Sequence, residues 1–171
     1  MTSEITMDGV VLNGVTFGCG VPVDAYLEVL GQPTRSLMPG PPPSYGHRNN
    51  ILYFYDELGI LLREHHASRL IDGLDVLLDP PRWHFPTTRS YTGELHVCGV
   101  RVHAGMAFGD FARQTEIQFH PHLGHAWIVD GEKVSIQFEV FRNRQSKAKV
   151  ESIVAVLVGF ARAHQVGNRP S

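Results

Sequence analysis

The chain has 171 residues, of which 43% are hydrophobic and 19% charged, with a formal net charge of -2 and a pI of about 6.5. This composition is typical of a globular domain and argues against a nucleic-acid-binding protein, which would carry a basic patch and a high pI. The start, MTSEITMDGVVLNG, lacks the pattern of a secretory signal, and the longest apolar run, IVAVLVGFA, is too short to span a bilayer. We therefore expect a cytoplasmic protein with reduced cysteines and no membrane partner, nucleic-acid partner or cofactor.

Two patterned halves follow one another along the chain. Without a gap, GVVLNGVTFGCGVPVDAYLEVL aligns with ELHVCGVRVHAGMAFGDFARQT, placing Gly14 on Gly99 and Gly20 on Gly105. The paired glycines and the shared order of apolar residues indicate two copies of a small fold rather than a solenoid. The predicted boundaries are 1–79 for the first unit, 80–92 for a proline-rich linker, 93–164 for the second unit and 165–171 for a frayed tail, all within one compact domain.

Each unit begins with an alternating segment, VVLNGVTF or LHVCGVRV, which predicts two short strands joined by a tight turn. A helix is expected over 21–31, because Pro22 suits its first turn and Gly31 the position after its end. Its counterpart is MAFGDFARQTE, weakened by Gly109. Hairpins follow in YFYDELGILL and in AWIVDGEKVSIQFEV, where Asp-Gly is expected to form the turn with positive φ.

The closing apolar segment of the second unit fits two structures. Val150, Ile153, Val154, Leu157 and Ala161 have helical spacing, but the run IVAVLV is rich in β-branched residues, which favours a strand. We predict a strand and leave the helix as the alternative. The predicted fold class is α+β, with two pseudo-repeated β-β-α-β-β-β units that form antiparallel sheets and helices packed on one face.

The stretch HPHLGH is the strongest candidate for a metal site. His120, His122 and His125 fall within six residues, and imidazole is a common metal ligand. A zinc site needs about three or four protein ligands, and Pro121 argues against a regular central strand there. We interpret the stretch as a polar surface turn and expect no metal, with His120, His122 and His125 as the ligands of the alternative hypothesis.

The candidate partner-binding residues lie in an aromatic hairpin and in the preceding loop. YFYDELG places aromatic side chains on both faces of a strand, and one face must meet the core. The other face is either exposed, where aromatic residues are favoured at protein interfaces, or covered by a helix or a loop. The proline-rich loop 38–50 is long for a compact domain, which favours a functional role. The predicted partner-binding residues are Tyr45, His47, Arg48, Tyr53, Tyr55, Asp56 and Glu57.

Two resemblances bear on function. The helix ending in LGQP (30–33), followed by the aromatic strand ILYFY (51–55), resembles the repeat of the beta-lactamase inhibitor protein and of small outer-membrane assembly lipoproteins. That resemblance implies tandem repeats and binding through a sheet. With its YDELGI hairpin and its duplicated strands, the whole chain is similar to small bacterial proteins encoded beside polymorphic or type VI secretion toxins. This second resemblance implies a cytoplasmic immunity protein.

The leading functional hypothesis is a non-enzymatic, cytoplasmic protein-binding module. In its most concrete form it is an immunity or inhibitor protein that neutralises a cognate bacterial toxin by occluding the toxin's surface. One alternative is a metal-dependent enzyme or metal-binding protein that uses segment 120–125. A second alternative is a structural or adaptor component of a secretion system. The sequence leaves the partner's identity and the oligomeric state open.

Overall fold

A computed structural model describes residues 1–38, 50–79, 88–123, 125–142 and 150–160, which form thirteen strands and two helices. In chain order these elements are β1 (Thr2–Thr6), β2 (Gly9–Leu12), β3 (Val15–Phe17), α1 (Val23–Leu30), β4 (Arg35–Leu37), β5 (Asn50–Tyr55), β6 (Ile60–His65), β7 (Leu70–Leu77), β8 (Glu94–Val97), β9 (Val100–Val102), α2 (Phe108–Ala112), β10 (His120–His122), β11 (Ala126–Asp130), β12 (Val134–Arg142) and β13 (Glu151–Phe160).

The strands form two sheets. The smaller sheet has the order β3-β2-β1-β8-β9, in which β1 and β8 are parallel. The larger sheet has the order β10-β11-β12-β13-β7-β6-β5-β4 and is antiparallel throughout. Because β1 pairs with β8 and β7 pairs with β13, strands from both halves of the chain share each sheet.

The same order of elements occurs twice in the chain. Two strands, a helix and four strands run from β2 to β7 and again from β8 to β13. The residue before each helix forms an equivalent bridge, Pro22 with Leu70 and Ala107 with Ser152. The second residue of α1, Asp24, therefore corresponds to the second residue of α2, Gly109.

A single large core cluster contains side chains from both sheets and both helices. Inward residues of the large sheet alternate with outward ones, so that Tyr55 joins this core while its neighbour Phe54 points to the opposite face. There Phe54 forms a second buried cluster with Leu52 and Leu61. The strands β5 and β6 are therefore buried on both faces, which accounts for their nearly continuous apolar sequence.

The predicted α+β class, with helices packed on one face, is wrong. Of the described residues, 53% lie in strands and 10% in helices, so the fold is mostly β. The predicted β-β-α-β-β-β unit omits the short strand that follows each helix in the structure, which is β4 in the first half and β10 in the second. The prediction also omits β1. The second helix has only five residues, because Gly109 within it and the turn that follows provide little to extend it.

The first hairpin of each half is confirmed. Asn13 and Gly14 have φ values of 48° and 83°, and Cys98 and Gly99 have 50° and 80°. Positive φ at both central positions matches the twist of the flanking strands. The helix predicted over 21–31 is confirmed as α1, and the closing segment is confirmed as the strand β13.

The Asp130-Gly131 turn forms differently from the prediction. Asp130 is still paired with Ser135 in the ladder, and the turn comprises 131–133. Gly131 is not in the left-handed region. A Cβ at Gly131 would lie 2.8 Å from the carbonyl oxygen of Val134, so this glycine is required by a close approach of the backbone.

No helix in the described part of the chain is long and apolar enough to cross a membrane.

Candidate functional site

A cleft of about 490 Å³ opens beside α2 in the second half of the chain. One wall is the exposed side of α2, and the other carries Trp127 of β11 and, two strands away in the sheet, Val150 and Glu151 at the start of β13. The residues that the following argument uses are Phe108, Gly109, Asp110, Arg113, Trp127 and Glu151. Concave surfaces with an apolar floor and a few polar groups are the usual form of a binding site.

Aromatic rings form the floor of the cleft. Trp127 stacks on Phe108, with ring centroids 4.8 Å apart and an interplanar angle of 11°. Phe119 meets Phe108 edge-on at 5.9 Å, and Phe138 packs beneath both phenylalanines. Offset-stacked and edge-to-face rings attract one another beyond the burial of their area. The floor is therefore held in shape by its own packing, whether or not the cleft is filled.

The polar side chains that line the cleft are Asp110, Arg113 and Glu151, and each of them forms an ion pair. The indole N–H of Trp127 donates to Oε2 of Glu151 at 2.6 Å, and Nε of Arg142 donates to Oε1 of the same carboxylate, also at 2.6 Å. On the opposite wall, Arg113 donates to the carboxylate of Asp110, three residues earlier in the chain. Glu151 thus holds the indole N–H of Trp127 while it pairs with Arg142, which does not itself line the cleft.

Gly109 leaves the α2 wall open. A Cβ at this position would have only Nη1 of Arg113 within 4 Å, at 3.8 Å. Side chains larger than hydrogen therefore fit on the backbone here, and they would project into the cleft. The same glycine shortens α2, so one residue accounts both for the weak helix and for the opening.

A second hollow of about 560 Å³ lies on the other side of the Asp110–Arg113 pair. It shares Ala107, Asp110 and Arg113 with the cleft and adds His103 and Met106. The Asp110–Arg113 pair therefore stands between two adjoining hollows along one side of α2. The side chains of Arg113 and Asp110 are 74% and 57% exposed.

The structure places Tyr53 and Tyr55 in roles within the fold. Tyr55 is 3% exposed and donates a hydrogen bond to the carbonyl oxygen of Gly31 at 3.1 Å, just past the end of α1. Tyr53 is half-buried and donates to Oε2 of Glu64 at 2.5 Å. Burial raises the pKa of both phenols to about 12, and for Tyr53 the hydrogen bond to Glu64 contributes to the increase. Both hydroxyl groups are occupied by partners within the chain.

Asp56 is 8% exposed and belongs to a buried network. Nε and Nη2 of Arg35 donate to its carboxylate at 2.8 and 3.1 Å, and the Thr88 hydroxyl donates at 2.6 Å. Burial raises the pKa of Asp56, but the hydrogen bonds from Arg35 and Thr88 outweigh it and hold the pKa below its usual value. Its neighbour Glu57 is 65% exposed and pairs with Arg89 at 2.6 Å.

The remaining predicted partner-binding residues lie outside the described residues: Tyr45, His47 and Arg48. Of the predicted surface, Tyr53, Tyr55 and Asp56 each form separate contacts within the chain, and Glu57 lies at the surface.

The histidine segment forms the edge of the large sheet instead of a turn. His120 and His122 lie on the edge strand β10, where Pro121 is tolerated because an edge strand does not need every N–H. His125 lies 3.6 Å from the buried carboxylate of Glu139, measured from Nε2 to Oε2. Within the described ranges, no three His, Cys, Asp or Glu side chains are grouped closely enough to hold a metal ion.

Sequence reasoning did not select the cleft residues. The signal that could have found them is the aromatic content of the second half. Phe108 and Phe138 correspond to Val23 and Leu62 in the first half, whereas Trp127 corresponds to another aromatic residue, Tyr53. Gly109 in α2 is the second signal, because an exposed glycine leaves part of the helix surface without a side chain.

Fold and cleft together define a mostly β protein whose second half carries an aromatic cleft beside a short helix. Residues 3–111 match the family model described as a domain of unknown function, DUF7738. This match covers more than half of the chain, and the protein belongs to that family. The matched region ends within α2, so that Trp127 and Glu151 lie beyond it. No curated protein and no solved structure matches the chain.

Proposed function

We propose that this protein is a non-enzymatic, cytoplasmic protein-binding module whose aromatic cleft receives an apolar side chain of its partner. In its most concrete form it is an immunity or inhibitor protein that neutralises a bacterial toxin by covering part of the toxin's surface. The observation that carries the proposal is the cleft itself: a preformed aromatic floor, open to solvent, with polar groups only on its rim.

The packing of the floor supports binding with little reorganisation. Phe108, Phe119 and Trp127 are already fixed by ring contacts and by the hydrogen bond to Glu151. A partner that inserts an apolar group would not have to order these rings, and preorganisation of this kind lowers the entropic cost of association. Energetically dominant interface contacts cluster in such well-packed pockets.

An exposed apolar side chain at the cleft supports a macromolecular partner. Val150, which lines the cleft, is 42% exposed. Exposed apolar residues beside a concave surface are typical of protein interaction sites. The expected interface therefore extends from the cleft across the start of β13.

The test begins with the partner. The chain is expressed in its native host with a C-terminal tag without histidines, and the co-purifying protein is identified, produced separately and purified. We expect that partner to inhibit growth when it is expressed alone and to be neutralised when this chain is co-expressed. A partner whose expression alone leaves growth unchanged would contradict the immunity form of the proposal.

Gly109→Phe then tests the cleft. The added ring projects into the cleft without a backbone clash, so we expect the affinity for the purified partner to fall by at least about tenfold, equivalent to about 1.4 kcal/mol. The matched control is Asp24→Phe, which places the same ring at the corresponding position of α1. A variant Gly109→Phe that melts like wild type and retains wild-type affinity would show that binding does not use the cleft.

A further inference from the structure

The charged side chains that line the aromatic cleft belong to pairs whose charges cancel. Arg113 donates to Asp110 on the α2 wall, and Glu151 on the other wall pairs with Arg142 at 2.6 Å. A cation at Asp110 would therefore lie beside the guanidinium of Arg113, and an anion at Arg113 would lie beside the carboxylate of Asp110. Attraction and repulsion at similar short distances offset each other, so the described residues favour an occupant without net charge.

The Asp110–Arg113 pair retains a free acceptor and free donors. Among the residues that the structure describes, Oδ1 of Asp110 accepts from Nη2 of Arg113, and Oδ2 accepts no hydrogen bond. The guanidinium of Arg113 has several N–H donors and uses them in this one contact. Glu151 differs, because Trp127 and Arg142 occupy both of its oxygens. The pair on α2 therefore offers an acceptor and donors side by side.

A peptide group has the chemistry that this pair can bind. It is uncharged, and each residue of a main chain carries one N–H donor and one C=O acceptor. The N–H of a partner can donate to Oδ2 of Asp110, and a neighbouring carbonyl oxygen can accept from Arg113, while the ion pair stays intact. Hydrogen bonds with an ionised group are stronger than those between neutral groups. Both side chains are more than half exposed, so a partner's main chain can reach them.

The position of the pair between two hollows fits an extended segment. Asp110 and Arg113 line both the aromatic cleft and the second hollow, to which His103 and Met106 also belong. In an extended chain, side chains two residues apart project to the same side, with the main chain running between them. One side chain can therefore enter the aromatic cleft and the next but one the second hollow, while the intervening peptide groups lie over the pair.

We infer that the two hollows receive an extended, uncharged protein segment, in which an aromatic or large apolar side chain enters the aromatic cleft and the main chain binds the Asp110–Arg113 pair. The inference rests on the proposed function, since it names the chemistry of the segment that the same cleft receives. The anchoring side chain provides the buried apolar area, and the main-chain hydrogen bonds fix the path of the segment across α2.

Blocked pentapeptides test the charge of the segment without the natural partner. The neutral peptide is Ser-Phe-Ser-Leu-Ser, and two charged peptides carry glutamate or lysine in place of every serine. Binding is followed in the full chain through the indole N–H resonance of Trp127, which is the one that remains in Trp83→Phe. We expect the neutral peptide to bind at least as tightly as either charged peptide, with an affinity that changes less than about twofold with salt.

Ester substitution tests the recognition of the main chain. In two variants of the neutral peptide, the N–H of the third or of the fourth residue is replaced by an ester oxygen, which removes one donor and keeps every side chain. At least one ester should bind about fivefold more weakly than the amide. Asp110→Ala should abolish this difference. The matched control is Asp24→Ala, which removes an exposed carboxylate from the first turn of α1 and should retain the difference.

Several outcomes would overturn the inference. One is equal binding of the amide and both esters, and another is an ester effect that persists in Asp110→Ala. A charged peptide that bound about threefold more tightly than the neutral one would indicate an acidic or a basic segment instead. An oligodeoxythymidylate that displaced the neutral peptide and bound more tightly would indicate a phosphate-binding site.

Failure of this inference is distinguishable from failure of the proposed function. If the peptides give any of these contrary results but Gly109→Phe still abolishes binding of the purified partner, only the description of the segment is wrong. If Gly109→Phe leaves partner binding intact, the proposed use of the cleft is wrong whatever the peptides show.

Discussion

The hydroxyl of Tyr53 donates a hydrogen bond of 2.5 Å to Glu64, a carboxylate whose side chain has no exposed surface. The other oxygen of Glu64 lies 2.6 Å from Nε of Arg69. Tyr53 therefore provides the hydrogen bond to one oxygen of a buried carboxylate near the end of β6. A buried acceptor that loses its partner retains the full cost of its desolvation, which makes this hydrogen bond more important to stability than an exposed one.

Tyr53→Phe should lower the free energy of unfolding by about 2 kcal/mol, because the ring is retained while a buried carboxylate loses its neutral donor. Tyr55→Phe provides the comparison. It removes a hydrogen bond to the neutral carbonyl of Gly31 and should lower the free energy of unfolding by about 1 kcal/mol. Urea unfolding at neutral pH measures both values. If Tyr53→Phe is no less stable than Tyr55→Phe, the buried carboxylate is not supported by Tyr53.

Asp56→Asn should lower the free energy of unfolding by about 2 kcal/mol at neutral pH, because the buried carboxylate receives charge-assisted hydrogen bonds from Arg35 and Thr88. The matched control is Glu57→Gln, the adjacent residue, whose exposed pair with Arg89 should contribute less than about 1 kcal/mol. Thermal or urea unfolding of the two variants separates the effects, and equal losses would contradict the assigned role of Asp56.

The pH dependence of this effect has a definite sign. The pKa of Asp56 is lower in the folded chain than in the unfolded chain. Its ionised form therefore stabilises the fold above about pH 4, the unfolded pKa, and this contribution is lost as the pH falls through the folded pKa. The difference in stability between wild type and Asp56→Asn should accordingly shrink below about pH 4.

Asp75 should give the opposite pH dependence. Burial raises the pKa of Asp75 to about 6. The positive charge of Arg63, 3.1 Å away, lowers this pKa, and the negative charges of Asp72 and Glu139 raise it. Between about pH 4 and 6 the folded chain retains a proton that the unfolded chain has released, so stability falls as the pH rises through this window. The decrease attributable to Asp75 should reach about 3 kcal/mol at most.

The measurement for Asp75 is a pair of stability profiles from pH 4 to 7. Asp75→Asn cannot ionise, so its profile should lack the component that falls over this range, whatever its absolute stability. The comparison uses the slope because the substitution also removes the ion pair with Arg63. Parallel profiles for wild type and Asp75→Asn would show that Asp75 is already ionised in the fold at pH 4.

Local patterns in the sequence predicted the elements whose determinants are local. The turns at Asn13-Gly14 and Cys98-Gly99 require positive φ, which glycine and a few other residues tolerate, and alternation around them identifies the strands. The helix α1 has an apolar stripe and a terminal Gly31 at φ 78°. These features depend on interactions within a few residues, so they can be predicted from the sequence without knowledge of the fold.

The fold class and the site depend on contacts between distant segments. The strand β1 has few apolar residues and forms only because β2 and the parallel β8, about 90 residues away, pair with it. The cleft is lined by residues of α2, β11 and β13, and no local pattern brings Phe108, Trp127 and Glu151 together. The sequence of YFYDELG leaves open whether one face of its strand is exposed to a partner or both faces are covered, and the structure covers both.

Gly73→Ala should lower the free energy of unfolding by about 2 kcal/mol, although alanine is otherwise no worse than glycine in a strand. A Cβ at this position would overlap the guanidinium of Arg63. That group cannot move freely, because its Nη2 donates to the carbonyl oxygen of Val158 at 2.9 Å and pairs with Asp75. The control is Gly18→Ala, whose Cβ would meet only the carbonyl oxygen of Asp8 at 4.0 Å and should change stability by less than about 0.5 kcal/mol.

Displacement of Arg63 also removes the cation that lowers the pKa of Asp75, so the fall in stability with pH should extend above about pH 6 in Gly73→Ala. Unfolding of both glycine variants across the same pH range measures the loss and the extension together. A Gly73→Ala protein with wild-type stability and an unchanged profile would mean that Arg63 does not lie across Gly73.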